Sequence, residues 1–434
     1  MNKEFTVMDR TVIADIGKKV GKEVKLQGWI YRTRSGKSIS FVVLRDYSGT
    51  VQCVVKEGVR GFEDAQKALI ESSVELKGKV KKDERAPTGY EVHVTDFRIV
   101  GFADDFPIKD QQSTELLLDW RHLWVRSQKL NKIFRIRSAI LGAIHDYFRS
   151  KGFFEIQSPS ITTMACEGGS TLFEMKYFGQ KAYLTQSWQL HAEALTSSLE
   201  RIYCIAPSFR AEKSRTRHHL AEYWHAEAEV AWIDHEQSLK IQEGLISHVV
   251  QTCLKKHRKE LQELGADTKM LEKVKPPFRR LPYAEVIERM EKKGVRMKWG
   301  DDVTDLQLRA LSGDFDKPFF IVNWPKETKP FYMLENPDDP KTVLNADCIA
   351  PGESGGELIG GSARETDPKK ILANLKREGT DPKNYGWYMD IRRFGSVPHA
   401  GFGMGVERLT QWICNVDHIR DCIAFPRTIN RVYP

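Results

Sequence analysis

The sequence predicts a multidomain α+β protein, in which a small N-terminal β-barrel precedes a larger domain that mixes helices and strands. The chain has 434 residues, which is enough for two or three domains. Residues 24–101 contain short runs of β-branched and aromatic residues separated by turn residues. Beyond residue 130, segments with helical spacing alternate with short strand-like runs. These three observations together predict the two-part architecture.

The N-terminal runs have the number and length expected of a small closed barrel. Strands are predicted at 24–34, 38–49, 50–56, 72–83 and 90–101. The OB-fold is the commonest barrel of this size that binds single-stranded nucleic acid. Cations and aromatics on its surface would include Arg34 and Phe41, which could track a backbone and stack on a base. From the pattern alone, however, Phe41 is more simply explained as a core residue.

The barrel is followed by a segment without regular periodicity. Residues 106–130 contain Pro107 and predict a hinge, so that the barrel occupies 1–105 and the larger domain 131–434. A helix is predicted over 131–153, with isoleucines at helical spacing and Gly152 at its end. The strand after it is interrupted at Pro159, as is typical of an edge strand. An edge strand beside a long helix would suit a homodimer interface.

Composition narrows the class of protein and its compartment. The formal net charge of +8 is compatible with a polyanionic partner without requiring one. The seven cysteines are scattered and form no Cys-x-x-Cys pair, which argues against a zinc site or a disulfide framework. The N-terminus lacks the apolar core of a signal peptide, and no run is long and apolar enough to span a bilayer. We therefore expect a cytoplasmic protein that is not bound to a membrane.

Residues 207–232 predict two strands joined by a cationic loop. Arg210 and Glu212 are expected on one face of the first strand, and Glu222 and Tyr223 at the start of the second. The loop carries Lys213, Arg215, Arg217, His218 and His219. Arginine and lysine suit phosphate oxygens, and an aromatic ring suits a flat base. The alternative is a solvated hairpin with a charged tip, since runs of charge usually lie on solvated faces.

Two further polar regions could hold a ligand. Residues 164–200 place Glu167 beside a Gly-Gly pair, ahead of Gln189 and Glu193 where a helix would start. Near the C-terminus, Asp347 and Glu357 flank a glycine-rich turn and could bind Mg²⁺ through oxygen ligands. Glycines alternate over 401–405 and could leave a flat slot ahead of the helix that Arg408 opens. They could equally mark a tight strand–helix crossing.

In combination, these segments resemble the class II aminoacyl-tRNA synthetases. FEIQSPSIT is similar to motif 1 of that family, FRAE with the basic loop and AEYW to motif 2, and GFGMGVERL to motif 3. The N-terminal OB-fold is similar to that of the aspartate, asparagine and lysine subgroup. WYMDIRRFGSVPHAGFG resembles the asparaginyl enzymes in particular. The resemblance implies a catalytic domain with an antiparallel sheet flanked by helices, carrying an insertion at about 235–340.

The resemblance also implies roles for the matching positions, with Arg210 and Arg408 as catalytic residues. ATP-binding roles fall on Arg210, Glu212, His219, Leu220, Tyr223, Glu357 and Arg408. Amino-acid-binding roles fall on Glu167, Gln189, Glu193 and Arg364. Glu357 and Asp347 would hold Mg²⁺. Arg34, Phe41 and Gln52 would meet the anticodon, which reverses the interpretation of Phe41 as core.

The choice between asparagine and aspartate depends on the segment QSWQLHAE. Aspartyl enzymes carry a lysine there that pairs with the substrate carboxylate, and this chain has Ala192. Glu193 matches a carboxylate that would accept from an amide NH₂, while Arg364 would donate to the side-chain oxygen. The expected reaction is activation of L-asparagine with ATP, followed by transfer to tRNA(Asn). The expected effect of Glu193→Gln is weaker discrimination with ATP binding intact.

Three alternatives remain open at this point. The first is an aspartyl-tRNA synthetase, including one that charges both tRNAs. The second is a paralogue that synthesises asparagine, although such paralogues typically lack the anticodon barrel. The third is a non-catalytic RNA-binding relative, although such proteins tend to lose the ATP residues that are present here.

Overall fold

The computed structural model describes residues 10–109, 112–214 and 216–434. The chain divides into two compact units between Trp120 and Arg121. Arg215 of the predicted cationic loop lies outside the described residues.

The first unit is a five-stranded closed barrel with strand order β1-β2-β3-β5-β4, as the sequence predicted. Its strands and helices are β1 (Glu23–Ser35), β2 (Ile39–Arg45), β3 (Thr50–Lys56), α1 (Phe62–Lys67), β4 (Ser73–Lys82), β5 (Tyr90–Gly101) and α2 (Thr114–Asp119). Alternation along each strand sends one set of side chains inward, and β2 buries Val42 and Leu44. Phe41 lies on the opposite face, outside the apolar core of the barrel.

The second unit contains ten helices and two sheets within the described residues. The helices are α3 (Arg121–Trp124), α4 (Gln128–Ser150), α5 (Gln189–Leu199), α6 (His235–Glu263), α7 (Thr268–Glu272), α8 (Tyr283–Lys292), α9 (Asp305–Ser312), α10 (Pro368–Arg377), α11 (Gly386–Arg393) and α12 (Val406–Ile413). The strands are β6 (Phe154–Glu155), β7 (Ile161–Thr162), β8 (Glu174–Tyr177), β9 (Gln180–Leu184), β10 (Arg201–Phe209), β11 (Glu222–Ala231), β12 (Arg279–Pro282), β13 (Phe319–Val322), β14 (Asn345–Ala350), β15 (Gly356–Ala363) and β16 (His399–Gly405).

An eight-stranded sheet forms the centre of this unit, in the order β12-β13-β14-β15-β16-β11-β10-β6. Its six middle strands pair antiparallel, while β12 and β6 pair parallel at the two edges. Ile140 of α4, Val249 of α6 and Leu409 of α12 share an apolar core with Phe402 of the sheet. The sheet is therefore mixed, with an antiparallel centre and helices packed against it.

Local sequence explains where the main elements begin and end. Helix α4 starts before the predicted residue 131 because the hydroxyl of Ser127 accepts from the backbone N–H of Leu130 and caps the helix. Gly152 follows it with φ +75°, a conformation that glycine adopts without steric cost. Pro159 falls between the short strands β6 and β7, and β6 lies at the sheet edge, as predicted. The predicted hinge contains α2 and α3.

The hairpin of the cationic loop differs from the prediction at one point. Strand β10 ends at Phe209, which pairs with Glu222 at the start of β11. Arg210 and Glu212 therefore lie beyond the strand, in the connecting segment, rather than on a strand face. The backbone N–H of Arg210 still donates to the carbonyl of Ala221, which holds the first residue of that segment against β11.

Among the described residues, no helix is long and apolar enough to cross a membrane.

Candidate active site

A cavity of roughly 830 Å³ opens on the second unit, within the size range of small-molecule sites. Strands β11, β14, β15 and β16 contribute to its wall, together with the start of α5 and residues 300–306. A smaller cavity shares Arg210, His219, Glu357 and Arg408 with it. The two cavities together are lined by every residue that the sequence predicted to bind ATP: Arg210, Glu212, His219, Leu220, Tyr223, Glu357 and Arg408.

Arg210 is the central cation at the end of the cavity where the residues predicted to bind ATP lie. Its guanidinium lies 2.6 Å from the carboxylate of Glu167 and 3.9 Å from that of Glu212. It also lies 5.6 Å from the centre of the Tyr223 ring. Burial acts against its charge, but Glu167 and the other neighbouring carboxylates raise the pKa of Arg210 above its usual value. The group is a permanently charged donor that faces a cavity.

The two histidines of the cationic loop are held near the same end. Nε2 of His219 lies 3.5 Å from Glu212, and Nδ1 of His218 lies 2.9 Å from the amide oxygen of Gln411. Burial lowers the pKa of both imidazoles, with an added contribution from the positive charge of Arg408. Both rings are therefore neutral at pH 7, and the fixed positive charge at this end comes from the arginines.

The alternating glycines of β16 make room for side chains of β11. A Cβ at Gly401 would collide with the carboxylate of Glu229, and a Cβ at Gly403 would collide with the imidazole of His225. Burial lowers the pKa of His225 to about 3, so this ring is neutral. The space beside Gly401 and Gly403 is therefore occupied by these two β11 side chains, whose close approach is the physical reason for glycine at both positions.

Asp347 and Glu357 lie on neighbouring strands with their carboxylates on the same side of Gly360. Asp347 is paired with Lys329 at 2.9 Å, and Glu357 lies 3.5 Å from Arg408. Burial raises the pKa of Asp347 to about 6 against the effect of Lys329. For Glu357, burial is outweighed by Arg408 and Lys329, and its pKa is lowered. Among the described residues, no group of three or more His, Cys, Asp or Glu side chains is arranged to hold a metal ion.

The other end of the cavity contains a buried ion pair. Arg364 donates to both carboxylate oxygens of Glu229, and its Nη1 donates to Ser362 at 2.8 Å. Burial raises the pKa of Glu229 to about 7, against the opposing effect of Arg364. Gln189 also lines this end. A donor and an acceptor therefore lie side by side on the wall.

Glu193 is not on that wall, contrary to the role expected for it. It is fully buried behind the cavity and ion-paired with Arg392. Ala192 is also fully buried, in a small apolar cluster with Trp188. The carboxylate that pairs with Arg364 on the cavity wall is Glu229. Glu167, Gln189 and Arg364 all line the cavity, so Glu193 is the one residue of the predicted amino-acid set that lies away from its wall.

In the first unit, the three residues predicted to meet the anticodon share the outer face of the barrel. Arg34 on β1 is exposed and lies directly opposite Phe41 on β2. Phe41 is half-buried, and Gln52 on β3 pairs with Val43, the next residue on the face that carries Phe41. The interpretation of Phe41 as a core residue, which the pattern alone favoured, is wrong.

Sequence reasoning assigned no role to several residues of the cavity wall, among them His225, Glu229 and Lys329. Glu227 and Glu229 are two residues apart in the sequence, as expected for one face of a strand, but this alternation does not show which face of the strand lies towards a ligand. The alternating glycines at 401–405, on the strand β16 that pairs with β11, were the available signal, because a residue without a side chain implies a bulky neighbour.

Comparison with known families agrees with this architecture. Residues 113–429 match the family described as tRNA synthetases class II (D, K and N). Residues 24–100 match the family described as OB-fold nucleic acid binding domain. Because the first match covers more than half of the chain, the protein belongs to the class II tRNA synthetases of the D, K and N group.

Similar proteins within that family carry a more specific name. An asparagine–tRNA ligase of Pyrococcus abyssi is 47% identical over 436 positions, covering 99% of this chain and 100% of the relative. One of Thermoplasma acidophilum is 44% identical, covering 97% and 99%. The crystal structure of asparaginyl-tRNA synthetase from Pyrococcus horikoshii complexed with asparaginyl-adenylate superposes with a TM-score of 0.95 at 44% identity, covering 99% and 100%.

Proposed function

We propose that this protein activates L-asparagine with ATP and transfers it to tRNA(Asn). In the first step the asparagine carboxylate attacks the α-phosphate of ATP, forming asparaginyl-adenylate and releasing pyrophosphate. In the second step a hydroxyl of the terminal ribose of the tRNA attacks the activated carbonyl and releases AMP. The relatives at 44–48% identity over nearly the whole chain are asparagine–tRNA ligases, which supports this assignment.

The observation that carries the proposal is the polarity of the 830 Å³ cavity described above. Arg210, Arg408 and Glu357 lie towards one end, where phosphates and a metal would bind, and Gln189, Glu229 and Arg364 line the other. A carboxamide needs one donor and one acceptor, and the Arg364–Glu229 pair supplies both. Position 192 is alanine, so this chain has no lysine there to pair with an aspartate side chain.

The nucleotide end would act by positioning and by stabilising charge. Arg210 would face the α-phosphate, where negative charge develops as the new bond forms and pyrophosphate leaves. Arg408 and His219 would hold the outer phosphates, and the Tyr223 ring would stack on adenine. Glu167 and Gln189 would accept from the α-ammonium of the amino acid. Bound in this way, the carboxylate and the phosphorus are held for in-line attack.

The donor set at Asp347 and Glu357 suits Mg²⁺, because both are hard oxygen ligands and ATP phosphates would complete the coordination. When bound, the ion would neutralise phosphate charge. Glu357 is the more available of the two carboxylates for a metal ion. Its side chain is 44% exposed and lies 3.5 Å from Arg408, whereas Asp347 lies only 2.9 Å from Lys329.

We expect Glu357→Gln to weaken Mg²⁺ binding at least about tenfold in the presence of a non-hydrolysable ATP analogue, and Asp347→Asn to weaken it less. The physical reason is that the Asp347 carboxylate is already neutralised by Lys329. Mn²⁺ titration followed by electron paramagnetic resonance measures the affinity without turnover. A larger loss in the Asp347 variant would contradict the ranking.

The barrel face at Arg34, Phe41 and Gln52 would take the anticodon, with an unpaired base stacked on Phe41. We expect Phe41→Ala to weaken tRNA(Asn) binding by about 5- to 150-fold, the range for loss of one base stack. Asparagine-dependent ATP–pyrophosphate exchange should not change, because the reacting groups lie in the other unit.

Tyr47→Ala provides a matched control for this variant, since Tyr47 is an exposed aromatic of the same barrel at the β2–β3 turn. Binding of a tRNA(Asn) transcript is measured by filter retention or fluorescence anisotropy. Equal losses in the two variants would contradict a specific role for Phe41.

The proposed function itself is tested with the wild-type protein. ATP–pyrophosphate exchange is measured with asparagine and with aspartate, and charging is measured on tRNA(Asn) and tRNA(Asp). We expect both activities with asparagine and its tRNA. Exchange driven by aspartate alone would favour an aspartyl enzyme, and correct folding without exchange would favour a non-catalytic relative.

We further propose a homodimer in the cytoplasm. The support for the dimer is the position of β6 at the edge of the sheet beside α4, where motif 1 of the family lies. The support for a reducing compartment is that all seven cysteines are buried and unpaired. Light scattering at working concentration tests the dimer, and a monomer mass would exclude it.

A further inference from the structure

A buried polar cluster lies directly behind the amino-acid end of the cavity. We call it the Glu193 cluster, and its members are Gln189, Glu193, Tyr388, Arg392 and His399. The members come from α5, α11 and β16. Each is less than a tenth exposed, and Glu193 is completely buried. A buried carboxylate is costly unless it is paired and hydrogen-bonded, so its contacts indicate what it does.

Four side chains, from Gln189, Tyr388, Arg392 and His399, lie within hydrogen-bond distance of the Glu193 carboxylate. Oε1 accepts from Nε2 of Gln189 at 2.9 Å, and the Tyr388 hydroxyl lies 2.9 Å from Oε1 and 2.8 Å from Oε2. Oε2 accepts from Nη2 of Arg392, and Nε2 of His399 lies 3.1 Å from it. Arg392 in turn donates from Nε to the carbonyl of Glu365 at 3.1 Å. The carboxylate is thus engaged by the protein's own side chains and is not part of the cavity wall.

Gln189 connects this cluster to the cavity. An ionised carboxylate can only accept hydrogen bonds, so the atom of the Gln189 amide that faces Glu193 has to be its NH₂ group. The carbonyl Oε1 is thereby turned away from Glu193, towards the thiol of Cys166 at 3.9 Å, which is a weak donor. Gln189 lines the cavity, so its Oε1 is a hydrogen-bond acceptor at the cavity wall. Among the described residues this oxygen has no strong donor as a partner.

We infer that Glu193 and Arg392 are positioning residues that fix Gln189 as an acceptor for the α-ammonium group of the amino acid. Glu193 sets the orientation of the amide, and Arg392 neutralises the buried charge that this orientation requires. The inference rests on the proposed function, because it names how one side of the amino-acid subsite is built. It assigns Glu193 no contact with the side chain of the substrate.

A purely structural role is the competing explanation, since the cluster also ties α5 to α11 and β16. The two explanations differ in one measurable respect. Loss of an oriented acceptor weakens ligands that carry an α-ammonium and leaves ligands without it unaffected. Loss of structure weakens both. Succinamate, which is asparagine without its α-amino group, separates the two cases.

The test uses the full-length double variant Glu193→Leu/Arg392→Met, because a volume-conserving apolar pair replaces a buried ion pair without leaving an uncompensated charge. In ATP–pyrophosphate exchange we expect the KM for asparagine to rise about tenfold, with the KM for ATP within about twofold of wild type. The inhibition constant of succinamate should stay at the wild-type value. The melting temperature is measured in parallel.

Glu243→Leu/Arg280→Met is the matched control, since it removes another carboxylate–guanidinium pair, with a buried carboxylate and a partly exposed guanidinium, that does not line the cavity. Its KM for asparagine should equal that of the wild type. An unchanged asparagine KM in the folded Glu193 double variant would overturn the inference, and so would equal losses for asparagine and succinamate. Absence of asparagine-dependent exchange in the wild type would instead refute the proposed function.

Discussion

Replacing Arg210 by glutamine should lower kcat for asparagine-dependent ATP–pyrophosphate exchange about a thousandfold. The guanidinium is the permanently charged group that the structure directs from the segment after β10 into the shared part of the two cavities. Removing a preorganised donor from a developing charge costs about 10²–10³ in rate, and arginines at transferring phosphoryl groups contribute about 10³–10⁵. The KM for asparagine should change much less, because Gln189, Glu229 and Arg364 remain.

The fold should tolerate this change. Arg210 and Glu167 are both partly exposed, at 27% and 34% of their side-chain surface, and a pair of this kind contributes at most about 1 kcal/mol to the free energy of unfolding. Glu167 and Glu212 stay hydrated through the cavity once their cation is removed. The unfolding curve of the variant should therefore lie close to that of the wild type.

Arg201→Gln is the matched control. Arg201 is the first residue of β10, Arg210 directly follows the last residue of that strand, and the Arg201 side chain is exposed. Exchange kinetics of the control should equal those of the wild type. Arg210→Lys separates charge from geometry, because an ammonium keeps the charge but loses the planar fork that fits two phosphate oxygens. Recovery of most of kcat by lysine would show that charge suffices, and a wild-type kcat in the glutamine variant would remove Arg210 from the reaction.

The nucleotide end could be predicted from the sequence because its residues are close together along the chain. Arg210, Glu212, His219 and Tyr223 fall within one hairpin, so the resemblance to motif 2 assigns them together to the proposed site before any tertiary contact is known. The barrel is also predictable, since period-2 alternation is a local signal. Phe41 shows the limit of that signal, because alternation divides a strand into two faces without stating which face is the core.

The amino-acid end could not be predicted in this way. Glu193 lies one helical turn beyond Gln189 and matches a recognition position, yet Arg392, 199 residues away in sequence, captures its carboxylate. Glu229 lies opposite Gly401 because of the register between β11 and β16, a non-local fact that only the folded chain supplies. The identity of an acceptor at a buried site depends on which neighbour saturates it, and spacing along the chain contains no such information.

Glu229→Gln should reduce the preference for asparagine over aspartate about a hundredfold. In the wild type, an aspartate side chain would meet the Glu229 carboxylate as a like charge in a buried site, which costs several kcal/mol. A glutamine keeps the shape and an oxygen acceptor but removes that repulsion, and it frees Arg364 to pair with the substrate carboxylate. The ratio of kcat/KM values for the two amino acids in ATP–pyrophosphate exchange measures the change.

The same measurement on the Glu193→Leu/Arg392→Met variant supplies the contrast. That variant should weaken asparagine and aspartate by the same factor, because both carry an α-ammonium group, and should leave their ratio unchanged. If the asparagine-to-aspartate ratio fell in the Glu193→Leu/Arg392→Met variant and stayed unchanged in Glu229→Gln, the result would assign amino-acid selection to Glu193.

The selectivity should also depend on pH, in a direction that the burial of Glu229 determines. Burial raises the pKa of this carboxyl to about 7, whereas its guanidinium partner stays charged throughout, so the carboxyl is the member of the pair that titrates near neutrality. Above pH 7 it is ionised and repels aspartate, and below pH 7 it is protonated and does not. The asparagine-to-aspartate ratio should therefore rise from pH 6 to pH 8. Titration of histidines near the proposed ATP site affects both substrates alike and cancels in the ratio. The pH dependence of the ratio should therefore disappear in Glu229→Gln. If it persists in that variant, another group causes it.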